Sequence, residues 1–481
     1  MTYIGLDLGT SGLKAVLMDE QGQVLTQAQI HLSTQTPQPG WSEQDPVEWI
    51  QALDRAMEQL SQHGAFTQLA GLAVAGHMHG AVVLGRDDAP LRPCILWNDG
   101  RADIEAAMLD GQGDFVRLTG NRVFAGFTAP KLLWLKTNEP DVFRQIRRVL
   151  LPASYLNLYL TGDAVADCSD AAGSGWMDMA QRQFSERLLA HTELGLEHMP
   201  RLVEGCEPAG VLRAELAARW GLSQPVVVAG GAADNAAAAC GMGVAQEGEG
   251  FVSLGTSGVV LVGREVYQPR PETAVHTFCH AMPDRWYQMS VMLSATDSLN
   301  WLASLLNTSP QALMGQVGDH LQAPVHAQFF PYLSGERTPH NNPNLRGALI
   351  GLSAQTDSAE LTRAVVTGVS FALADGLASL QDAGAAPDQL WAVGGGAQSD
   401  YWLGLLATVF DRPIHRPAGA GHGAALGAAR LAQSAAGAIQ PSDFASPQSM
   451  QCFEPDQGLR SAYQEAFAQY LNASRGRWLE P

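Results

Sequence analysis

The sequence is poor in basic residues. Lysine and arginine together number 29 against 48 aspartates and glutamates in 481 residues, which gives a formal net charge of -19. No run of lysine and arginine offsets this balance, so binding to nucleic acid or to an anionic membrane surface is disfavoured. A small anionic ligand would therefore have to be held by backbone N–H groups, helix ends and a metal ion.

Cysteine pairs and long apolar runs are also absent. The six cysteines stand singly, without a Cys-x-x-Cys pair or a histidine spacing suited to zinc, at positions 94, 168, 206, 240, 279 and 452. This pattern predicts reduced, buried thiols rather than a disulfide framework or a zinc site. The sequence opens on an apolar strand at residues 3–8, without a basic leader, and has no run of about 18 apolar residues. We expect a cytoplasmic protein with no membrane partner.

The sequence does contain an alternation of apolar strands and amphipathic helices. Hydrophobic residues make up 46% of the chain and charged residues 16%, which suits well-packed cores, and the length is enough for two or three domains. A strand at 69–76 and a helix that follows Pro46 are typical elements. After about residue 436 we expect a surface loop and then a final amphipathic helix over 457–473. The pattern predicts the α/β fold class.

The pentapeptide Leu-Gly-Thr-Ser-Gly occurs twice, at residues 8–12 and 254–258, and each copy lies between two apolar strands. A strand, a glycine turn and a helix also recur, at 226–243 and at 389–410. The two copies of the pentapeptide are separated by about half the chain. These repeats predict an internal duplication, with two similar lobes that face a cleft and divide near residue 245.

The repeated turn has a composition suited to phosphate. A Gly-Thr-Ser-Gly turn lets backbone N–H groups and two hydroxyls approach a bulky anion. The candidate contacts are Thr10 and Ser11 in the first copy and Thr256 in the second. Asp7 precedes the first turn and could orient a hydrated Mg²⁺, whereas Ser253 takes that place in the second. One such turn alone could be a plain hairpin, but two copies at matching places favour a polyphosphate site.

Asp234 follows a buried strand and begins an alanine-rich helix in GGAADNAAAACG. The N–H groups at the start of the helix would hold its carboxylate ionised and aimed into the cleft, where it could accept a proton. On spacing alone, a helix cap without chemistry is the simpler interpretation.

Several motifs resemble those of the FGGY family of carbohydrate kinases: DLGTSGLK, SLGTSG, VGGGAQS and two long signatures, GFTAPKLLWLKTNEP at 126–140 and RGALIGLSAQTDSAELTRAVVTG at 346–368. The resemblance covers nearly the whole chain. It implies two duplicated domains of the actin-like ATPase (ribonuclease H-like) fold with an interdomain cleft. Residues 1–245 would bind the sugar and carry the catalytic base, whose position matches Asp234, and residues 246–481 would bind the nucleotide. ATP and Mg²⁺ would be the cofactors.

Four further stretches are similar to bacterial members of the family that act on xylulose: WSEQDP at 41–46, GHMHG at 76–80, ILWNDGR at 95–101 and PYLSGERTPHNNP at 331–343. The resemblance implies ATP-dependent phosphorylation of D-xylulose to D-xylulose 5-phosphate, and it suggests a homodimer. A kinase for ribulose, another ketose or a polyol is an alternative, and so is an actin-like, sugar-sensing nucleotide switch.

The resemblance also implies sugar contacts in the first lobe. Met78 and His79 would cover an apolar face of the sugar and hydrogen-bond a hydroxyl. Trp97 would cover C–H groups, Asp99 would fix hydroxyls, and Asn235 beside the base would be a sugar or positioning contact. The alternatives are a structural histidine at a strand end and, for Asn-Asp-Gly, a surface turn.

In the second lobe, Gly395 and Gly396 of VGGGAQS would let the α-phosphate and ribose of the nucleotide approach a helix start. The small residues at 419–432 are expected to pack closely behind the site. Arg337 and His340 could reach the cleft, or their loop could be braced by an Arg–Glu pair.

The sequence departs from the family pattern at two places. Ala232 and Ala233 stand immediately before Asp234 where the family has glycines, and because alanine tolerates positive φ poorly, the turn could have a different shape. His77 stands where close relatives have glutamine.

Overall fold

The computed structural model describes residues 1–318, 320–418, 423–444 and 446–476. In the first half of the chain the strands are β1 (Thr2–Gly9), β2 (Gly12–Asp19), β3 (Val24–His31), β4 (Glu43–Gln44), β5 (Leu69–Gly76), β6 (Val82–Leu84), β7 (Cys94–Ile95), β8 (Arg148–Leu150), β9 (Val165–Asp167), β10 (Met177–Asp178), β11 (Gln183–Phe184), β12 (Arg201–Val203), β13 (Pro208–Val211), β14 (Val227–Ala229) and β15 (Ala232–Ala233). Its helices are α1 (Pro46–Leu60), α2 (Asp103–Asp110), α3 (Asp114–Thr119), α4 (Thr128–Asn138), α5 (Pro140–Phe143), α6 (Pro152–Thr161), α7 (Cys168–Ala172), α8 (Glu186–Ala190), α9 (Ala214–Arg219) and α10 (Asp234–Met242).

The second half repeats this alternation. Its strands are β16 (Gly250–Leu254), β17 (Gly258–Arg264), β18 (His276–Cys279), β19 (Trp286–Met292), β20 (Gln328–Phe330), β21 (Ala348–Ile350), β22 (Leu390–Val393), β23 (Ile414–Pro417) and β24 (Ser449–Phe453). Its helices are α11 (Thr296–Leu305), α12 (Pro310–Val317), α13 (Ser358–Asp382), α14 (Asp400–Phe410), α15 (Gly423–Ala435) and α16 (Arg460–Gly476).

The two main sheets share one plan, which confirms the predicted duplicated α/β architecture. The first has the strand order β13-β14-β5-β1-β2-β3, and the second has the order β18-β19-β17-β16-β22-β23-β24. In each, a hairpin (β1–β2 or β16–β17) lies beside a parallel strand (β5 or β22), and an antiparallel strand follows on the other side of the hairpin. The two Gly-Thr-Ser-Gly segments form the turns of these hairpins.

Local signals explain how the first lobe begins. The side chain of Asp45 accepts a hydrogen bond from the backbone N–H of Val47, and Pro46 occupies the first turn, so α1 begins where the sequence predicts. One face of α1, which includes Trp49, Leu53, Met57 and Leu60, is buried against the sheet. Burial of this face holds the helix on the sheet.

Helix α13 forms much of the core of the second lobe. It is long and apolar enough to cross a membrane by length and composition, but 89% of its most apolar 18-residue window is buried inside the protein. Its apolar residues pack with strands of the second sheet and with Trp402 of α14. Its hydropathy is therefore that of a core helix.

The last segment differs from expectation in two respects. The predicted surface loop contains β24, which pairs antiparallel with β23 and forms the edge of the second sheet. The final helix is present, over Arg460–Gly476 rather than 457–473. Cys452 lies on β24 and is exposed, whereas the other five cysteines are buried, and all six are free thiols.

Helix α15 packs against the first lobe although it lies late in the chain. It contacts α10, β1 and β5 closely, and a Cβ at Gly427 would overlap the carbonyl oxygen of Ala237 in α10. The predicted close packing is confirmed for 423–432, while residues 419–422 lie outside the described part of the chain. A division at residue 245 therefore separates the two sheets but not every helix.

The contact between α10 and α15 should be intolerant of one added methyl group. Gly427→Ala places a Cβ against backbone atoms that cannot move independently, so we expect a loss of about 2 kcal/mol or more in the free energy of unfolding. Denaturant unfolding followed by circular dichroism measures this loss.

Gly404→Ala is the matched control, because a Cβ at this glycine of α14 meets no atom within 4 Å. This variant should gain about 0.5–1 kcal/mol, the usual benefit of replacing a helical glycine. Equal stability of the two variants would contradict close backbone contact at Gly427.

Candidate active site

Two carboxylates from different elements meet in the first lobe. Asp7 lies near the end of β1, and Asp234 is the first residue of α10. Desolvation and the nearby charge of Asp234 raise the pKa of Asp7 to about 7, although Lys14 acts in the opposite direction. The structure thus brings together the predicted metal ligand and the predicted base.

Asp234 is held through one of its two oxygens. Its Oδ1 accepts hydrogen bonds from the backbone N–H of Asn235 at 2.7 Å and from Asn235 Nδ2 at 3.0 Å. The other oxygen receives no hydrogen bond from the described residues. Burial raises the pKa of Asp234 to about 6, and the bonds from Asn235 limit that rise. The N–H group at the helix start favours the ionised form, as expected, but desolvation outweighs it, so the pKa lies above its ordinary value while the carboxyl stays mainly ionised at pH 7.

The two alanines before Asp234 do not distort the turn. The positive φ of 88° falls on Gly231, and Ala232 and Ala233 form the short strand β15 beside Ala75 and Gly76 of β5. The departure from the family's glycines is thus accommodated in extended backbone.

A magnesium ion fits this site as a partner of substrate phosphates. Among the described residues no group of three or more His, Cys, Asp and Glu side chains could hold a metal ion by itself. Mg²⁺ usually keeps several waters and is bound through one or two carboxylates and phosphate oxygens. The carboxylate of Asp7 accepts no hydrogen bond from the described residues, and its pKa is raised by the second acid, so a hard cation would relieve the repulsion.

His79 is poised to accept a hydrogen bond. Its φ of 73° is unusual for a residue other than glycine, and its ring stacks on Phe127 with centroids 4.7 Å apart. Nδ1 lies 2.6 Å from the carbonyl oxygen of Gly173 and must donate to it, which leaves Nε2 as an acceptor. Burial lowers the pKa of His79 well below its usual value, so the ring is neutral. Met78 lies beside it, with its sulfur 3.8 Å from the hydroxyl of Tyr287.

The strained loop at His79 is held by Lys131, a residue that the sequence did not single out. Lys131 is fully buried, and its Nζ donates to the carbonyl oxygens of His79 at 2.9 Å and Gly126 at 2.7 Å. Burial lowers its pKa to about 7. The only sequence signal was its place in the long motif at 126–140. His77, in the same loop, is buried edge-on against Trp49 rather than open to the cleft.

Trp97 contacts the first phosphate turn. Its Nε1 donates to Thr10 Oγ1 at 3.0 Å, and the carbonyl oxygen of Thr10 accepts a bond from Gln44. Ser11 is exposed beside it. The predicted sugar and phosphate contacts of the first lobe are therefore adjacent.

The hydrogen bonds of Asp99 differ from those expected of a sugar contact. Its carboxylate accepts hydrogen bonds from Ser42 N at 2.6 Å and from Arg101 N, Nε and Nη2. A carboxylate offers about four acceptor positions, and protein donors take four here. A sugar contact at Asp99 does not fit this geometry, and the residue instead positions the loop that carries Trp97. Asn235, similarly, positions Asp234 through its amide.

The second Gly-Thr-Ser-Gly turn is held by hydrogen bonds from the start of α11. The carbonyl oxygens of Gly255 and Thr256 accept bonds from backbone N–H groups at the start of α11, and the residue Thr256 is exposed. Thr256 and the Thr10–Trp97 pair lie in opposite lobes, and within the described residues no hydrogen bond joins them.

The glycine segment after β22 borders a cavity of about 580 Å³. A Cβ at Gly395 would meet no atom within 4 Å, whereas one at Gly396 would press on Leu254, so Gly395 is the one that opens onto the cavity. Polar side chains at its wall include Asn300 and Gln311, which the sequence did not indicate. The full lining is Thr296, Leu299, Asn300, Pro310, Gln311, Met314, Gly395, Gly396, Gln398, Ser399 and Trp402.

A third buried acid near the base was also missed. Asp170 in α7 is 1% exposed, and neither of its oxygens has a hydrogen-bond partner among the described residues. Desolvation and the charges of Asp167 and Asp234 raise its pKa well above the usual value. Nε2 of His340 lies 3.0 Å from the hydroxyl of Tyr332 and 3.7 Å from Asp375 Oδ2.

Two sheets of one plan, joined at an acidic cleft, define a sugar kinase of the actin-like ATPase type. The chain belongs to the FGGY family of carbohydrate kinases, whose N-terminal domain it matches over residues 2–241 and whose C-terminal domain it matches over residues 250–436.

Individual proteins similar to this chain include kinases that are named for different sugars. The xylulose kinase of Escherichia coli strain K12 is 48% identical over 438 residues, which is 90% of each chain. A solved structure from Brucella ovis, described as a xyloylose kinase, is 50% identical over 98% of both chains with a TM-score of 0.96. A gluconate kinase from Lactobacillus acidophilus is 25% identical, with 99% of this chain and 98% of that chain covered and a TM-score of 0.92. One fold thus serves different sugars.

Loss of the Lys131 ammonium should destabilise the protein. Lys131→Met removes the donor of the carbonyl oxygen of Gly126 and leaves that of His79 with only the hydroxyl of Thr128, so we expect the free energy of unfolding to fall by about 2–4 kcal/mol. Denaturant unfolding measures the change.

Lys136→Met, on the same helix α4, is the matched control. Lys136 is exposed and pairs only with exposed Glu193, so its loss should change stability by less than about 1 kcal/mol. A Lys131→Met protein as stable as this control would rule out a structural role for the buried ammonium.

Proposed function

We propose that this protein transfers the γ-phosphoryl group of ATP to the terminal hydroxyl of D-xylulose, giving D-xylulose 5-phosphate and ADP. The observation that carries the proposal is the carboxylate of Asp234, which is fixed through one oxygen, lacks a donor on the other and lies beside Asp7. The identity to proteins named xylulose kinases supports the choice of sugar.

In the proposed mechanism Asp234 accepts the proton of the C5 hydroxyl as that oxygen attacks the γ-phosphorus and ADP leaves. Asn235 keeps the carboxylate aimed. Met78 covers C–H groups, and neutral His79 accepts a hydrogen bond from a sugar hydroxyl through Nε2. Trp97, linked to Thr10, forms the wall between the sugar and the phosphates.

The second lobe, over residues 246–481, would hold the nucleotide. The cavity beside Gly395 has apolar and aromatic walls with a few polar groups, the usual lining of a small-molecule site. Gly396 would pack against Leu254 and so support the segment that carries Gly395. Thr256, Thr10 and Ser11 would bind phosphate oxygens from the two lobes.

Asp7 would hold Mg²⁺ together with the phosphates, and the ion would neutralise charge on them. The first lobe, over residues 1–245, would provide the sugar site and the base, and closure of the lobes would exclude water. A cytoplasmic location fits substrates that are free sugar and ATP, and light scattering would test the proposed homodimer.

A second candidate is phosphorylation of another sugar, because the gluconate kinase of Lactobacillus acidophilus shares the fold. ADP release measured across D-xylulose, D-ribulose, L-ribulose, L-xylulose, glycerol and gluconate separates these reactions. Turnover that does not depend on any sugar would instead indicate a nucleotide switch.

Asp234→Asn should remove the base and leave the fold intact. The amide keeps the shape of the side chain but cannot accept the hydroxyl proton, so we expect kcat to fall by about 10²- to 10⁴-fold. Nucleotide binding, measured by calorimetry, should be unchanged.

Asp103→Asn is the matched control, because Asp103 also begins a helix, α2, but is exposed. If both variants keep wild-type turnover, Asp234 is a helix-start residue and the proposed base is wrong.

The pH profile should report the raised pKa of Asp234. Below about pH 6 the carboxyl is protonated and cannot act as a base, so kcat/KM should fall as the pH drops through 6, well above the ordinary value near 4. Initial rates at constant ionic strength, with folding checked at each pH, measure the profile.

Asp54→Asn controls for other acids. Burial also raises the pKa of Asp54, but it bonds Tyr159 and Arg219 on the outside of the first lobe. Its loss should leave the acidic limb in place. Full activity of the wild type at pH 5 would contradict the assignment of Asp234.

A further inference from the structure

The loop that carries Arg337 is firmly attached to the second lobe. Thr338 donates its backbone N–H to the carbonyl oxygen of Val291 and its hydroxyl to that of Ala274. Oε1 of Glu336 accepts bonds from the backbone N–H groups of Leu293 and Arg337. The backbone of residues 336–338 is thus fixed to the end of β19.

The guanidinium of Arg337 is not used to hold this loop. An Arg–Glu pair could brace this loop, and the charges of Arg337 and Glu336 attract each other, but Glu336 accepts from backbone groups and forms no ion pair within 4.0 Å with the guanidinium in the described residues. Arg337 instead extends to the first lobe, with its guanidinium carbon 4.9 Å from the ring centre of Phe124. Its five N–H donors have no acceptor in the described part of the protein.

The guanidinium of Arg337 lies beside residues of the proposed sugar site. Nη2 of Arg337 lies 3.5 Å from where a Cβ at Gly126 would stand, and the carbonyl oxygen of Gly126 is held by Lys131 together with that of His79. The charge of Arg337 also contributes to the lowered pKa of His79, after burial and the charge of Lys131. Arg337 is therefore near the loop that carries His79.

A second donor or acceptor nearby also lacks a partner. His276 of β18 is 2% exposed, and its Nε2 has no hydrogen-bond partner among the described residues. Its ring packs edge-on against Phe124, the same ring that Arg337 covers. Buried polar groups without partners are rare, so Nε2 of His276, which has none among the described residues, calls for an explanation. The half-buried guanidinium of Arg337 lies beside the same ring, and together the two side chains indicate a place for a polar ligand.

We propose that Arg337 binds the carbonyl end of the ketose, donating hydrogen bonds to the C2 carbonyl oxygen and to a neighbouring hydroxyl. This inference rests on the proposed function. With the terminal hydroxyl at Asp234 and a neighbouring hydroxyl at His79, the ketone would extend toward the guanidinium, which lies near the loop of His79. Arg337 is then a specificity residue for ketoses, and it makes the second lobe part of the sugar site.

The test compares a ketose with the two alditols formed by reducing its C2 carbonyl, which keep the hydroxyls but lack the carbonyl. For D-xylulose these are xylitol and D-arabinitol. Dissociation constants and kcat/KM are measured for the wild type, Arg337→Met and Arg337→Lys, using the ketose that the wild type phosphorylates fastest. Arg337→Met should weaken binding of the ketose by roughly 10- to 100-fold and binding of the alditols by less than about threefold, so that the enzyme no longer discriminates between ketose and alditols. Arg337→Lys should restore part of it.

Arg346→Met is the control, because Arg346 lies in the same loop region, is exposed and bonds only the carbonyl oxygens of Pro343 and Leu345. It should not change the discrimination. An equal loss for ketose and alditols in Arg337→Met, or no loss, would overturn the role of Arg337 while the wild type still phosphorylates D-xylulose. A wild type that phosphorylates no ketose would overturn both this inference and the proposed function.

Discussion

The geometry of the site depends on the contact of helix α15 with two elements at once. Gly5 of β1 lies so close to α15 that a Cβ there would overlap the carbonyl oxygen of Ala425, and Gly427 has the same relation to Ala237 of α10. Strand β1 carries Asp7, and α10 begins at Asp234. Because tightly packed interiors transmit displacements rather than absorb them, a shift of α15 would move both carboxylates relative to each other.

That packing has an electrostatic consequence. Desolvation raises the pKa of each of Asp7, Asp170 and Asp234, and the charge of Asp234 adds to the rise at the other two. None of the three is paired with an arginine among the described residues. In a chain of net charge -19, an anionic phosphate group can approach such a cleft only with a cation. In the proposed mechanism the acid that would hold the cation, Asp7, and the acid that would take the proton, Asp234, are therefore neighbours.

The parts of the fold that sequence could predict are those encoded locally. An apolar strand, a glycine turn and a second strand specify a hairpin within about 20 residues, and the repeat of that pattern specified the second sheet. The placement of α15 against β1 joins residues more than 400 positions apart, and no local pattern reports it. The same holds for Asp99. Its acid and the turn residues around it suggest a sugar ligand, yet Ser42, 57 residues earlier, takes one of its acceptor positions.

Burial decides which polar residues remain available to a ligand. Lys131 donates hydrogen bonds to two carbonyl oxygens and so holds the loop of His79. The donors of the Arg337 guanidinium, in contrast, have no acceptor among the described residues and lie beside Phe124. A neutral sugar offers no charge to bind, so its affinity must come from donors and acceptors already stripped of water. When these groups come from both lobes, a bound sugar holds the lobes together, and closure completes the sugar site. Sugar binding and closure of the cleft therefore favour each other. Closure in turn removes the water that would otherwise compete for the γ-phosphoryl group.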